Sequence, residues 1–273
     1  MISVITPVYN GDRFIESCIH VVIDQACPDV EHLIIDGGSS DRTVEIIQRY
    51  AAQYSHICWV SEKDQGQSDA MNKGISMAKG KIIAMLNVDD YYEPNVLNRI
   101  NEMFDHLPEP SLLVGNCNVW DDAGRLGGIN KPTKLQFKDL LLGMDINPFP
   151  INPSAYFYHA SLHQKIGLYC VDEHYAMDID FLLKAVQQAT VKYVDETWGN
   201  YRQIVGTKTV TDCHNGGNQP RLRRVMRTYR KQLPWTQRMR VAVQFEGLRV
   251  RQSVEYFFRH PEEILPKLKA RLN

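Results

Sequence analysis

The feature that most constrains the fold is a regular alternation, in the first hundred residues, between short apolar runs and segments whose apolar residues recur with helical period. Short apolar runs predict buried strands, and the segments between them predict amphipathic helices. Strands joined by helices lie parallel in one sheet, and the helices cover both of its faces. The predicted strands are residues 2–6, 32–35, 57–60 and 81–86. We therefore expect an α/β protein with a Rossmann-like, mostly parallel central sheet.

Polar side chains follow each of these four predicted strands. The polar segments are 6–11 (TPVYNG), 36–41 (DGGSSD), 62–66 (EKDQG) and 87–90 (NVDD). Ligands of open α/β sheets bind beyond the carboxyl ends of the strands, so we expect the four segments to form one binding rim.

Asp89 and Asp90 follow an apolar strand directly. Adjacent carboxylates repel one another, and a divalent cation relieves that repulsion. Oxygen ligands of this kind suit Mg²⁺ or Mn²⁺, which bind substrate phosphates and keep several waters. The alternative is that the two acids only end the strand and cap a helix that begins near Glu93 and Pro94.

The segment 36–43 (DGGSSDRT) also points to a ligand. Its two glycines permit positive φ, and Ser40 and Asp41 are placed to cap the following helix. Capping explains Ser40 and Asp41 but leaves the strand-end acid Asp36 without a partner. We therefore expect Asp36 to accept hydrogen bonds from a bound base or ribose.

Four motifs, in this order, resemble those of family 2 glycosyltransferases with the GT-A fold. They are ISVITPVYNG at 2–11, IDGGSSDRT at 35–43, DQG at 64–66 with DAMNKG at 69–74, and LNVDD at 86–90. The resemblance implies a GT-A type sheet and an enzyme that transfers a sugar from a nucleotide diphosphate donor, most often a UDP-sugar, to an acceptor hydroxyl. The sugar would be a hexosyl or N-acetylhexosaminyl group, transferred with inversion at the anomeric carbon.

The resemblance also implies roles for individual residues on the donor side. Asn87 and Asp89 occupy the two ends of the family's DxD motif. Because an amide oxygen is a weaker metal ligand than a carboxylate, we expect Asp89 to hold Mg²⁺ or Mn²⁺ and Asn87 to act through water or the ribose. The donor-binding residues implied by the resemblance are Thr6, Pro7, Tyr9, Asp36, Asp64, Asp69, Lys73, Asn87, Asp90 and Arg202.

Transfer with inversion needs a base that deprotonates the acceptor hydroxyl on the face opposite the leaving diphosphate. The segment 175–184 (YAMDIDFLLK) resembles the family's acidic motif at the start of an acceptor-side helix, which places Asp178 at the catalytic position and points Asp180 elsewhere. The alternative for Asp178 is an acid favoured by the helix macrodipole. Many relatives have a His in the loop after residue 202, which is absent here, and the resemblance leaves Arg202 or Lys208 as the replacement cation.

The second half of the chain is less regular. It predicts strands at 112–119, 155–158, 191–194 and 198–201, a turn at 121–128, and helices at 135–142 and around 179–186. We expect a GT-A catalytic domain at 1–218, divided into a nucleotide-sugar-binding half at 1–105 and an acceptor-side half at 106–218. A basic helical segment would follow at 219–273.

Charge divides the chain at the same boundary. Residues 1–218 contain 17 Lys and Arg against 28 Asp and Glu, and residues 219–273 contain 14 against 4, which gives net charges of −11 and +10. Arginines interleaved with apolar residues at helical spacing favour contact with an anionic membrane, which would suit a growing or lipid-linked glycan acceptor. The alternatives are a helical hairpin packed on the catalytic domain and a dimer contact. Nucleic-acid binding is disfavoured, because no nucleic-acid module accompanies the charge.

Other features restrict the compartment and the class of protein. No apolar stretch approaches the roughly 20 residues of a membrane span, the N-terminus does not resemble a signal peptide, and the six cysteines lack disulfide or metal-site spacing. These features favour a cytoplasmic protein, and the resemblance implies an enzyme of polysaccharide biosynthesis, which the basic segment would bring to the inner face of the membrane. No G-x-G-x-x-G follows the first strand, which argues against a dinucleotide oxidoreductase. A nucleotidyltransferase and a non-catalytic GT-A-like scaffold are the alternatives.

Overall fold

The computed structural model describes residues 1–144, 146–214 and 218–259. Within these ranges, one sheet of nine strands forms the centre of the molecule. The strands are β1 (Ile2–Val8), β2 (Val30–Asp36), β3 (Ile57–Ser61), β4 (Ile82–Met85), β5 (Tyr91–Tyr92), β6 (Ser111–Trp120), β7 (Leu126–Asn130), β8 (Tyr156–His159) and β9 (Thr190–Arg202). Their order across the sheet is β3-β2-β1-β4-β8-β6-β9-β5, and β7 pairs with β6 outside this path.

The sheet is mostly parallel, as the sequence predicts. Strand β1 pairs in parallel with β2 and β4, and β2 pairs in parallel with β3. Strand β8 runs antiparallel between β4 and β6, so β6 and its parallel neighbour β9 again share the direction of β4. The carboxyl ends of these parallel strands therefore meet at one edge of the sheet, where the four polar segments lie.

Helices cover both faces of the sheet, which confirms the α/β expectation. They are α1 (Ile15–Ile23), α2 (Thr43–Ala51), α3 (Gln67–Met77), α4 (Val96–Phe104), α5 (Phe137–Leu140), α6 (Leu162–Ile166), α7 (Met177–Gln188), α8 (Lys208–His214), α9 (Asn218–Arg230) and α10 (Trp235–Arg259). Successive side chains of a strand point to opposite faces, so Val4 packs in the core with α1 and α4, whereas Ile5 packs in the core with α3 and α7.

Helix α3 approaches β1 closely because of a glycine. A Cβ atom on Gly74 would lie 2.4 Å from Cγ2 of Ile5, so a larger residue there would push the helix away from the strand. The first turn of α3 points to the carboxyl edge of the sheet. Gly74 therefore helps to fix the position of that turn relative to the strand ends.

Two sequence predictions in the second half are wrong in detail. Residues predicted as two strands form the single strand β9. The intervening Asp195 interrupts the apolar pattern without ending the strand, because its side chain is 67% exposed, and its Oδ1 accepts hydrogen bonds from the Asn116 amide and the Lys131 ammonium at 2.8 and 3.0 Å. The predicted turn at 121–128 is shorter, since Leu126 already begins β7. Strand β7 is largely exposed and contains two glycines, so it lacks the apolar pattern that predicts a strand.

The first helix of the basic C-terminal segment packs on the catalytic body. Val225, Met226 and Tyr229 of α9 are buried in the same core as α3 and α7. The Tyr229 hydroxyl donates to Oδ1 of Asp180 at 2.6 Å, and Nε of Arg230 donates to a main-chain carbonyl of α5's C-terminal turn at 2.9 Å. For α9 the packed alternative is therefore correct. Residues 260–273 lie outside the described ranges, and none of the described helices has the length and apolar composition of a membrane span.

Candidate active site

The loops after β1 and β2 are hydrogen-bonded to each other at the carboxyl edge of the sheet. The Asn10 main-chain N–H donates to Oγ of Ser39 at 2.7 Å, and the Ser40 N–H donates to Oδ1 of Asn10 at 2.9 Å. Tyr9 is 65% exposed above these loops. The two loops thus form one surface, with the Tyr9 ring free to contact a ligand.

Thr6 and Pro7 lie deeper in the same wall. Thr6 is fully buried, and its hydroxyl lies 2.9 Å from Nε2 of His32. Pro7 is partly buried. The Thr6 side chain therefore faces the interior of the sheet, and this position supports the wall rather than lining its surface.

Asp36 is the best-satisfied acid of the rim. Its Oδ2 accepts hydrogen bonds from the main-chain N–H groups of Gly38 and Ser39, both at 3.0 Å, and from the Ser61 hydroxyl at 2.6 Å. Its Oδ1 accepts from the Ser39 hydroxyl. The expectation that Asp36 lacks a partner without a ligand is therefore wrong, because the loop that it begins folds back to donate to it. Contact of Asp36 with a nucleobase stays a prediction.

Asp64 lies against the two-glycine turn. A Cβ atom on Gly37 would lie 2.5 Å from Oδ2 of Asp64, so the carboxylate occupies the space that a side chain at residue 37 would take. Oδ1 of Asp64 accepts from the Gly66 N–H at 2.8 Å. The absence of a side chain at Gly37 thus lets the Asp64 carboxylate lie against the end of β2.

Asp69 and Lys73 tie α3 to the loop after β3. Oδ2 of Asp69 accepts from the Gln65 N–H at 3.1 Å and lies 3.5 Å from the Lys73 ammonium. The same ammonium lies 3.0 Å from Oε1 of Glu62, and these acids raise its pKa. Both residues lie at the rim, where they hold a loop.

Asn87 and Asp90 form a hydrogen-bond network that joins four segments. Nε2 of Gln67 donates to Oδ1 of Asn87 at 3.0 Å, and Nδ2 of Asn87 donates to Oδ2 of Asp90 at 2.9 Å. Oδ2 of Asp90 also accepts from Nδ2 of Asn152 at 2.7 Å, and Oδ1 accepts from the Arg202 N–H at 3.2 Å. Both ends of the Asn87 amide and both oxygens of Asp90 therefore have protein partners.

Asp89 differs from its neighbours because, of the described residues, only its own main-chain N–H donates a hydrogen bond to its carboxylate. Among the described residues, no other residue donates a hydrogen bond to it, and its side chain is partly exposed. Burial raises the pKa of Asp89, and the nearby Arg202 guanidinium opposes the rise. Nε of Arg202 donates to the Asp89 main-chain carbonyl, and the guanidinium lies 5.9 Å from the ring centre of Tyr91.

The residues of this loop fit a divalent cation held in part by a ligand. One free carboxylate is the usual protein contribution to Mg²⁺ sites that are completed by phosphates and water. Within the described residues no group of three His, Cys, Asp or Glu side chains could hold a metal ion, so a cation here would need ligands from a bound molecule besides Asp89. Burial and the charge of Asp89 also raise the pKa of Asp90, and a cation beside Asp89 would offset that repulsion.

Asp178 lies in the first turn of α7 with a partly exposed side chain. The Tyr156 hydroxyl donates to its Oδ1 at 3.5 Å. Desolvation raises the pKa of Asp178 to about 6. The charge of Lys208 and the hydrogen bond from Tyr156 lower this pKa but only partly offset the rise. Asp180 faces away, as the helix period predicts, and its Oδ2 lies 2.6 Å from the Lys184 ammonium.

The first turn of α3 links the donor-side loop to the helix that contains Asp178. Gln67 contacts Asn87, and Oγ of Ser68 donates to the Glu173 carbonyl at 3.1 Å and to Sδ of Met177 at 3.0 Å. Sequence reasoning missed Gln67 and Ser68, although both lie between two of the quoted motifs. It also missed Asn152, whose only signal is its place in a Pro-rich loop.

Comparison with known proteins identifies relatives of this chain. The profile of glycosyl transferase family 2 matches residues 3–163. The chain is similar to the uncharacterized glycosyltransferase EpsJ of Bacillus subtilis, with 28% identity over 74% of this chain and 61% of that protein. It is also similar to the PGL/p-HBAD biosynthesis glycosyltransferase of Mycobacterium tuberculosis, with 27% identity over 78% of this chain and 81% of that protein.

Solved structures share the fold. TarS 1–349 of S. aureus, in complex with UDP-GlcNAc, has a TM-score of 0.66 and 17% identity, over 89% of this chain and 71% of that one. The mannosyltransferase PcManGT of Pyrobaculum calidifontis, in complex with GDP-Man and Mn²⁺, has a TM-score of 0.53 and 17% identity, over 92% of this chain and 64% of that one. The chain spans less than two thirds of EpsJ and 42% of TarS in its longer form. With a GT-A fold and a family profile that matches more than half of its length, the chain belongs to glycosyl transferase family 2.

Proposed function

We propose that the protein is a glycosyltransferase that moves a sugar from a nucleotide diphosphate sugar to an acceptor hydroxyl. The observation that carries the proposal is the Asp89 carboxylate, which accepts no hydrogen bond from another described residue and lies on the loop that Arg202 contacts. The neighbouring rim acids Asp36, Asp64 and Asp90, in contrast, have donors from other residues. TarS in complex with UDP-GlcNAc and PcManGT in complex with GDP-Man support a donor of this class. We propose that the donor is a UDP-sugar and that the transferred sugar is a hexosyl or N-acetylhexosaminyl group.

The donor would lie across the rim. The nucleoside would contact Pro7, the exposed Tyr9 ring and the loops that Asp36 and Asp64 organise. The surface formed by these loops is set by hydrogen bonds within the protein, so little ordering would be needed when the nucleotide binds. Thr6, Asp69 and Lys73 would act by holding this wall.

Asp89 would hold Mg²⁺ or Mn²⁺ together with the donor phosphates. Such an ion, when bound, neutralises the negative charge that develops on the leaving diphosphate. The Arg202 guanidinium lies on the same side and would add a fixed positive charge, while Asn87 and Asp90 keep the loop in place.

Asp178, in its ionised form, would take the proton of the acceptor hydroxyl as the hydroxyl oxygen attacks the anomeric carbon. The new C–O bond forms while the bond from that carbon to the diphosphate oxygen breaks, so the nucleoside diphosphate leaves from the opposite face and the configuration inverts. Desolvation raises the pKa of Asp178 to about 6, which makes it a stronger base than an exposed aspartate yet leaves it ionised near neutral pH.

A donor screen tests this function. The protein is incubated with Mn²⁺, a panel of UDP-, GDP- and dTDP-sugars, and free or lipid-linked saccharides, and the product is analysed by NMR. We expect release of UDP and a new glycoside whose anomeric configuration is opposite to that of the donor. A product with retained configuration would contradict single displacement. Release of pyrophosphate from a nucleoside triphosphate would indicate a nucleotidyltransferase instead.

We also propose that α10 contacts the anionic inner face of a membrane, where lipid-linked acceptors of polysaccharide biosynthesis occur. Apolar side chains on one side of this helix are between 51% and 86% exposed, and four exposed arginines accompany them. An amphipathic helix of this composition binds through both apolar area and charge. The apolar residues are Met239, Val243, Val250, Val254 and Phe258, and the arginines are Arg238, Arg240, Arg251 and Arg259.

Vesicle sedimentation tests the membrane contact. We expect the protein to sediment with vesicles of phosphatidylglycerol and phosphatidylcholine, and not with phosphatidylcholine alone. The variant Arg238→Gln/Arg240→Gln/Arg251→Gln should sediment less. Equal sedimentation with both vesicle types would contradict an electrostatic contact.

A further inference from the structure

Two cations flank the ring of Tyr175, three residues before Asp178. The Lys208 ammonium lies 4.8 Å from the ring centre, and the Arg221 guanidinium lies 4.0 Å from it. Tyr175 is 44% exposed. An aromatic face attracts cations, so the Tyr175 ring holds both cationic groups close to the N-terminal end of α7.

The arginines near this ring have anionic partners within the protein. Arg221 forms an ion pair with Asp212, and the Arg224 guanidinium lies 3.1 Å from Oε2 of Glu173. Glu173 in turn accepts hydrogen bonds from the N–H groups of Tyr175 and Ala176 at 3.2 and 3.1 Å. These contacts fix the loop before α7 and so fix the position of the ring.

Lys208 is different. Within the parts of the chain that the structure describes, it forms no ion pair and donates no hydrogen bond. Desolvation lowers the pKa of Lys208. The negative charges of Asp178 and Glu173 raise this pKa but do not cancel the effect of desolvation. The Lys208 side chain is exposed, so its ammonium is accessible to a ligand. It is therefore available to pair with a negatively charged group of that ligand.

The residues around Lys208 indicate which ligand its ammonium would contact. Arg202 lies at the Asp89 loop, on the donor side of the site. Lys208 instead lies near Asp178, and its charge lowers the pKa of that carboxyl. If Asp178 is the base, as we have proposed, the molecule beside it is the acceptor.

We propose that Lys208, held against the Tyr175 ring beside Arg221, forms a subsite for an anionic group, a phosphate or a carboxylate, on the acceptor. The inference rests on the proposed function, because it takes Asp178 as the acceptor side of the site. It assigns the protein to acceptors that carry a negative charge near the hydroxyl that reacts.

Binding of two anionic probes and their neutral counterparts tests this subsite. Octyl diphosphate represents a lipid-linked acceptor and is paired with octyl glucoside, and p-nitrophenyl glucuronide represents an acidic sugar and is paired with p-nitrophenyl glucoside. Calorimetry is done with UDP and Mn²⁺ present, so that the donor side is filled. The variants are Lys208→Met and Lys208→Arg, and the control is Lys231→Met, which removes an exposed cation at the end of α9.

We expect one anionic probe to bind at least about 10-fold more tightly than its neutral counterpart, and the identity of that probe separates a lipid diphosphate from an acidic sugar. Lys208→Met should remove the preference, Lys208→Arg should restore much of it, and Lys231→Met should leave it unchanged. Equal binding of anionic and neutral probes would overturn the proposal. So would a Lys208→Met variant that loses affinity for UDP instead, because Lys208 would then serve the donor diphosphate. A failed donor screen with the probe preference intact would count against the proposed donor and not against the subsite.

Discussion

Asp36 at the donor-side rim and Asp178 at the start of α7 are both acids that we propose for the same site, but their surroundings differ. Asp36 accepts hydrogen bonds from two main-chain N–H groups and two hydroxyls, all supplied by neighbouring loops. Asp178 has one hydroxyl at 3.5 Å, and its pKa is controlled by desolvation and by Lys208. The first acid organises a surface, whereas the second is left chemically available.

This difference predicts that substitutions in the two regions should have different effects. Changes in the rim remove partners of buried donors, so they should lower stability together with donor binding. Changes around Asp178 alter the proton affinity of a base, so they should change the rate and its pH dependence while the fold persists. Asp89 is the exception within the rim, since it is the acid there that is free to bind a cation.

The largest effect is expected for Asp178→Asn. The amide cannot take a proton, so kcat should fall by about 10²- to 10⁴-fold while affinity for UDP stays the same. Asp180→Asn is the matched control, because it makes the same change two residues further on the same helix, where the side chain contacts Tyr229 and Lys184. A comparable loss of kcat in the control would remove the distinction between the two acids.

The next largest effect is expected for Asp36→Asn, which should lower the free energy of unfolding. The amide group would face main-chain N–H donors, and at least one buried donor would lose its acceptor, which should cost about 3 kcal/mol of the free energy of unfolding. Urea denaturation measures this cost. Ser40→Ala, at an exposed neighbouring position, should cost less than about 0.5 kcal/mol. Equal stability of both variants would show that the Asp36 network does not support the rim.

Tyr156→Phe should shift the pH profile. The Tyr156 hydroxyl lowers the pKa of Asp178, so its loss should raise that pKa above about 6. Activity requires the ionised carboxylate, and it rises as pH increases through this pKa. The acid limb of kcat against pH should therefore move to higher pH, with kcat at pH 8 reduced by less than about 10-fold. Tyr158→Phe is the control, since its hydroxyl contacts His163, and a shift of the same size there would contradict a specific role for Tyr156.

The smallest effect is expected for Tyr229→Phe on α9. Loss of the hydrogen bond to Asp180 should lower the free energy of unfolding by about 1 kcal/mol and leave kcat unchanged. Thermal denaturation at fixed pH measures the difference. Unchanged stability would indicate that α9 contributes little to the body on which it packs.

The sequence predicted the donor half of the fold well because its signals are local. Strands β1 to β4 are short apolar runs bounded by polar loops, and the acids that follow them are adjacent in the chain. Some hydrogen-bond partners of those acids, in contrast, are distant in the chain and were not predicted. Asn152 reaches Asp90 from 62 residues away, and Ser61 reaches Asp36 from 25 residues away. Such contacts depend on strand order and loop geometry, which a single sequence does not specify.

The C-terminal region shows the same limit. Its charge suggested a separate basic segment, yet α9 places Val225, Met226 and Tyr229 in the core with α7. Apolar residues at helical spacing do not say which surface they will cover. Only the packing showed that the acidic body and the first part of the basic segment share one core.

Calorimetry of UDP binding with and without Mn²⁺ tests the role of Asp89 most directly. The wild-type protein should bind UDP at least about 10-fold more tightly with Mn²⁺, because Asp89 and the phosphates hold the ion together. Asp89→Asn should fold normally and lose this dependence on Mn²⁺. An Asp89→Asn variant that keeps the full effect of Mn²⁺ on UDP affinity would contradict the assignment of Asp89 as the metal ligand of the site.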